Sequence, residues 1–163
     1  MEFSKLTHSD SEKVSILTAA LTERYESIRV IRGRVQEIGL WVLGLMFASG
    51  AWIVTSDVVL SHGQKAVFLG ALAGAFGVIR FSYLRDLETG FKAQQRVAAR
   101  IESALNLFSV DAYDDTGQSI YPAKWRQAGT AKGGGKFFGT TNLLLYLGTA
   151  FVAVAILGKH WLF

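Results

Sequence analysis

The chain has no cysteine, a single proline and only 18% charged residues in 163. Without thiols there is no disulfide framework, no thiolate metal site and no cysteine nucleophile. A charged fraction below the roughly 25% of an average soluble domain speaks against a disordered tail. The lone proline excludes a collagen-like chain and leaves long helices uninterrupted. What the sequence has in quantity is apolar surface. Half of its residues are hydrophobic, and its mean hydropathy is +0.28.

That apolar content is gathered into three blocks. Ile38 to Ser56 and Phe137 to Gly158 carry no charge, and Ala66 to Leu84 carries only Arg80. About 20 apolar residues cross a ~30 Å hydrocarbon core as a helix, so each block is long enough. Backbone amides in lipid must be bonded within their own segment, which makes helix the expected form. The sequence therefore predicts an all-α membrane protein with spans at 38–56, 66–84 and 137–158.

Orientation follows from the basic residues. All lysines and arginines except Lys65 and Lys159 fall in residues 1–37 and 80–136. The positive-inside bias assigns those segments to the cytoplasm. The N-terminus is then inside, the 57–65 turn outside, and the C-terminus periplasmic. The first 35 or so residues lack the apolar core of a cleavable signal peptide. The isoelectric point near 9.5 suggests nucleic acid at first sight. The topology and anionic headgroups already account for the charge, and no nucleic-acid motif or aromatic-studded basic stripe is present.

The spans are expected to continue as helices beyond the membrane. Ser9 and Glu12 are spaced as a capping box. From there Leu17, Leu21, Ile28, Ile31 and Val35 recur at steps of three and four, with Tyr25 and Ile38 on the same face. After the second span, Leu87, Phe91, Ile101 and Leu105 repeat in the same way, with Ala98 and Phe108 extending the stripe. Residues 1–37 thus predict an amphipathic cytoplasmic helix and residues 85–136 a cytoplasmic helix followed by a Gly-rich connector, the two helices zipping into an antiparallel stalk. Either the stripes only close this hairpin, or they also pack against neighbouring subunits. Residues 109–136, with Pro122 and GTAKGGGK, predict a connector into the 137–163 segment.

Several groups invite chemistry. GTAKGGGK lacks the first glycine and the Ser/Thr of a phosphate loop, and reads better as a juxtamembrane hinge. Asp111, Asp114 and Asp115 could offer oxygen ligands, but without the order of an EF-hand they read as a solvated turn. His8, His62 and His160 are scattered, so no catalytic constellation, cofactor or metal site is expected. Arg80 is the most informative charge, either an interfacial anchor or a residue facing a polar path or a neighbouring subunit. Small residues at Gly44, Ala48 and Ala51, and at Ala66, Gly70, Gly74 and Gly77, form faces suited to close helix approach.

The run YESIRVIRGRVQEIGLWVLG, the tight hairpin and the returning RVAARIESAL resemble, over roughly residues 12–108, two groups of small bacterial proteins. One is the RipA-type family of small inner-membrane proteins, described as octameric. The other is the SLATT domain, a two-span module tied to nucleotide-signalled defence and membrane disruption. The third span departs from the SLATT pattern, so the RipA-type comparison is preferred. That resemblance implies a homo-oligomer in a bacterial inner membrane. The expected function is non-enzymatic: a scaffold or pore whose cytoplasmic helices meet anionic lipids and an unidentified cytoplasmic protein or signal. A membrane-depolarising defence effector and a metal-dependent lipid-active enzyme at Asp111–Asp115 are the alternatives.

Overall fold

In a computed structural model, residues 8–57, 59–113, 117–130 and 137–159 are described. They are helical throughout their main elements. Helix α1 runs unbroken from Asp10 to Thr55, and α2 from His62 to Gly77. A π-helical segment, Val78–Leu84, joins α2 directly to α3, Arg85–Ala104. A 3-10 turn spans Ala123–Gln127, and α4 covers Phe137–Gly158. Three helical stretches are long and apolar enough to cross a membrane: Asp10–Thr55, His62–Ala104 and Phe137–Gly158. At 1.5 Å per residue, the 46 residues of α1 extend about 70 Å, well beyond one bilayer core.

The helix ends have local causes. Ser9 and Glu12 bond reciprocally at the start of α1: the Ser9 N–H donates to the Glu12 carboxylate at 2.8 Å, and the Glu12 N–H to Ser9 Oγ at 3.3 Å. The Ser9 N–H, and after it the Ser9 hydroxyl, donate to the Glu12 carboxylate and lower its pKa. A second capping box joins Ser61 and Gln64 and starts α2 at His62, inside the stretch expected to be a turn up to Lys65. At the other end, α3 stops in a Schellman motif. Asn106 takes a left-handed φ of 59°, while the Leu107 N–H reaches Glu102 O and the Asn106 N–H reaches Ser103 O. Leu105 and Phe108 therefore lie beyond the helix that the periodicity extended through them. Phe108 is still buried, because the chain reverses there.

The chain divides into two compact units. The first, Met1–Ile31 with Gly90–Gly134, buries Leu21, Phe91, Ala98, Ala99 and Phe108. Its return segment folds back on α3. The Tyr121 N–H bonds Leu107 O at 3.0 Å, and Gly129 lies against the Lys92 carbonyl and the Arg96 backbone N. Only glycine suits Gly129, whose φ is +76° and whose missing Cβ would stand 2.9 Å from the Arg96 N.

The second unit, Arg32–Thr89 with Gly135–Phe163, holds the apolar blocks. Its core is Met46, Ile53, Val152, Ala155 and Ile156, with Val42, Leu69 and Leu72 packed against it. Helix α4 is the shared partner. A Cβ on Gly148 would meet Met46 Sδ at 2.9 Å and Leu43 Cδ2 at 3.0 Å, and one on Gly50 would overlap the Phe151 ring. On the other side Phe76 of α2 packs against Tyr146, ring centres 4.9 Å apart and planes tilted by 48°. Between α1 and α2 an apolar cleft of about 520 Å³ opens, lined by Ala48, Trp52, Phe68 and Ala75 with Val152 and Ile156 of α4 at its base.

Candidate functional site

Three polar nodes stand out, and the first is built on Arg80, the charge singled out from the sequence. Arg80 lies inside the π-helical segment, a widened turn that re-aims the face following it and often marks functional positions. Its guanidinium carbon is 5.9 Å from the Phe81 ring centre. Its Nε is buried without a hydrogen-bond partner. Helix α4 carries a second such atom, Asn142 Oδ1. One is a donor and the other an acceptor.

The second node lies in the first unit. The Glu102 side chain is 5% exposed, on a face otherwise made of Phe91, Ala98 and Ala99. A buried carboxylate is costly unless it is bonded. Tyr25 of α1 donates its hydroxyl to Glu102 Oε1 at 2.5 Å. Burial first, then the bonds to Glu102 and Tyr121, push the Tyr25 phenol well above its usual value of 10.0. Nearby, Arg24 bonds Gln94 at 2.9 Å. The return segment adds aromatic contact: Phe108 faces Tyr121, Tyr121 faces Trp125, and Arg126 covers Phe108 at 5.4 Å. The Tyr25 phenol thus links α1 to Glu102 of α3 and to Tyr121 of the return segment.

The third node closes the far end of the spans. Lys159, just past α4, donates to Ile53 O at 2.6 Å, to Ser56 Oγ at 2.8 Å, and to Ser56 O. The two backbone carbonyls belong to the C-terminal end of α1, where a cation is favoured.

The remaining expected positions are more dispersed. Leu21, Val35 and Phe91 are buried, while Leu17, Ile28, Ile31, Leu87, Ile101 and Leu105 are half-buried. Gly44, Ala48, Ala51, Ala66, Gly70 and Gly74 are exposed, and Gly77 is half-buried. A Cβ at Gly44, Gly70, Gly74 or Gly77 would have nothing within 4 Å. The close approaches within the chain fall instead at Gly39, Gly50 and Gly148. Asp111 adopts a left-handed φ of 56°, and its carboxylate accepts the Gly117 N–H at 2.7 Å. Asp114, Asp115 and His160 lie outside the described residues, as does 131–136 of the Gly-rich run. Among the described residues no group of three His, Asp or Glu side chains could hold a metal ion.

Sequence reasoning missed Glu102, Lys159 and Asn142. Glu102 follows Ala98 by one helical turn, which places it on the packed stripe. Lys159 ends an apolar block opposite the end of another. Asn142 is an uncharged polar residue inside such a block, overlooked because only charges were weighed. No protein family matches the chain, and no curated protein or solved structure is similar to it.

Proposed function

We propose that the protein is a non-enzymatic, homo-oligomeric inner-membrane scaffold or pore, with its first unit on the cytoplasmic side as a helical stalk that receives a partner or signal. The observation that carries this reading is the exposure of the apolar helices. Only 6% of the most apolar window of His62–Ala104 is buried within the chain. Its glycines at 70 and 74 are open, and so is Gly44 of α1. In lipid, helices associate through such small-residue faces by close dispersion contact. Lipid alone can cover the large exposed side chains, such as Trp41, Leu45 and Val67. A flat glycine face gains most from another helix.

The charge distribution supports the orientation, since the first unit holds 10 of the 17 lysines and arginines. Tyr25, Glu102 and the return segment give that unit a polar latch suited to responding to a bound partner. The mass of the detergent- or nanodisc-solubilised particle tests the reading. A single large oligomer is expected; a monomer in both native membranes and mild detergent overturns it.

A further inference from the structure

Within the second unit, α1 and α4 pack side by side and run in the same direction. Arg32 covers the Phe137 ring at 5.3 Å, Phe47 meets Phe151 at 5.3 Å, and Lys159 meets Ser56 at 2.8 Å. The helices approach closely at Gly39, where a Cβ would stand 3.3 Å from the Thr141 methyl. Beside that contact a groove of about 450 Å³ opens between them. It is lined by Gln36, Leu40 and Leu43 of α1 and by Phe137, Thr140 and Leu144 of α4, and is mostly apolar. Its walls face outward, since Leu40 is 71% exposed and Leu144 44%.

One end of this groove is charged. Helix α1 is regular here, so Arg32, Gln36, Gly39 and Leu43, at steps of four, three and four, share one face. Arg32 stands one turn before Gln36, at the Phe137 end of the groove. Its guanidinium makes no ion pair or hydrogen bond among the described residues. Glu37, the nearest carboxylate in sequence, follows it by five residues, about 140° round the helix. An uncompensated guanidinium and a carboxamide heading an apolar groove match a phosphate joined to a hydrocarbon chain. Width points the same way. Val35 to Leu43 is about 12 Å along the axis, so the groove averages about 40 Å² in section. A helix about 10 Å across needs roughly twice that. One acyl chain fits, and a helix of a second copy does not.

We propose that the α1–α4 groove binds one anionic phospholipid, with an acyl chain between Leu40, Leu43 and Leu144 and the phosphate on Arg32 and Gln36. Phosphatidylglycerol neutralises the arginine. Phosphatidylcholine brings its own cation, leaves that charge unbalanced and binds less well. The inference rests on the membrane part of the proposed function. Arg32 lies six residues, about 9 Å, before the first apolar block and so at a headgroup layer. Oligomer size does not enter.

Native mass spectrometry of the delipidated full chain, reloaded with phosphatidylglycerol or phosphatidylcholine of identical acyl chains, tests it. The wild type should retain phosphatidylglycerol in preference. Arg32→Gln should lower that retention roughly tenfold, as for the loss of a charge-assisted bond, and erase the preference. Arg34→Gln removes the same charge two residues away, off the groove face, and should leave the preference intact. Leu144→Trp fills the groove from an exposed position and should lower retention of both lipids, with helicity checked by circular dichroism. Equal retention of the two lipids by the wild type overturns the proposal. So does an equal loss in Arg34→Gln and Arg32→Gln, which would mean diffuse surface charge, or displacement of the lipid by inorganic phosphate. Unchanged lipid retention in Leu144→Trp also overturns it, and a fall in particle mass alongside would assign the groove to a second copy. Labelling of His62→Cys in intact cells reports topology separately, so a failed membrane reading is distinguishable from a missing site.

Discussion

Helices α2 and α4 are both long, apolar and glycine-bearing, yet they pack in opposite ways. α2 carries the spaced glycines at 70 and 74 and buries no residue of its own. α4 buries Phe138, Leu145, Gly148, Val152, Ala155 and Ile156 along one stripe. The difference lies in what faces the glycine. Gly148 is met by Met46 and Leu43, flexible side chains that fill the space where a Cβ would stand. Gly70 and Gly74 meet nothing within the chain. A small residue permits close approach; a complementary large residue on the facing helix uses it. Motif spacing on one helix reports only the first of these.

The most direct way to break this contrast is to fill both kinds of glycine. Gly148→Leu forces a branched side chain into the α1–α4 contact. Overpacking of this kind costs about 1–3 kcal/mol, and with Met46 Sδ at 2.9 Å the upper end is expected. Thermal unfolding in detergent should show a clear loss of stability. A Gly148→Leu protein as stable as the wild type would mean that α4 does not anchor the bundle.

The first unit sharpens the comparison, because polar bonds replace close approach there. Tyr25→Phe removes the donor to a carboxylate that is only 5% exposed, at a cost of about 1–2 kcal/mol. The pH dependence has a definite sign. The folded phenol titrates above its ordinary value of 10.0, so its contribution is complete below that pH. As pH rises past 10, the unfolded chain loses the proton first and stability falls. Proteolysis or hydrogen exchange of the first unit should show this alkaline loosening in the wild type and lack it in Tyr25→Phe.

These contacts also mark how far the sequence could be read. The Phe137–Gly158 helix matches its uncharged block residue for residue, because hydrophobic run length alone sets it. The Ser9–Glu12 cap was legible for the same kind of reason: its signal is local. Ser61–Gln64 has equally local spacing, but its polar surroundings disguised a helix start as a turn. The Schellman end at Asn106 and the backbone contact at Gly129 depend on where the chain goes next, which periodicity does not encode. Glu102 was hidden because a carboxylate sits on a packed stripe only when a distant hydroxyl, here that of Tyr25, meets it. Arg80 was legible as an anomaly in its block, whereas its π-helical turn and its buried, unpartnered Nε required three dimensions.

Lys159→Met probes the closure of the bundle at its far end. The ammonium satisfies the Ser56 and Ile53 carbonyls at the end of α1. Its loss should cost about 1 kcal/mol, as expected for a cation at a partly buried helix C-terminus. The change should appear as faster hydrogen exchange in residues 53–57, with the α4 core unaffected. Uniform exchange in both places would mean that Lys159 fixes the whole packing of α4 and not only its end.

The smallest effect on the chain's own fold is expected at Gly74→Leu. With nothing within 4 Å of the new Cβ, the substitution should move thermal stability of the isolated chain by less than about 1 kcal/mol, and helix propensity favours leucine over glycine. Its interest lies in the assembly. If the open face of α2 is where a second copy docks, leucine there separates backbones that must approach closely. Particle mass should fall for Gly74→Leu while helicity stays constant, the reverse of the pattern at Gly148. An unchanged particle mass would assign this face to lipid and move the search for subunit contact to Gly44, Ala48 and Ala51 on α1.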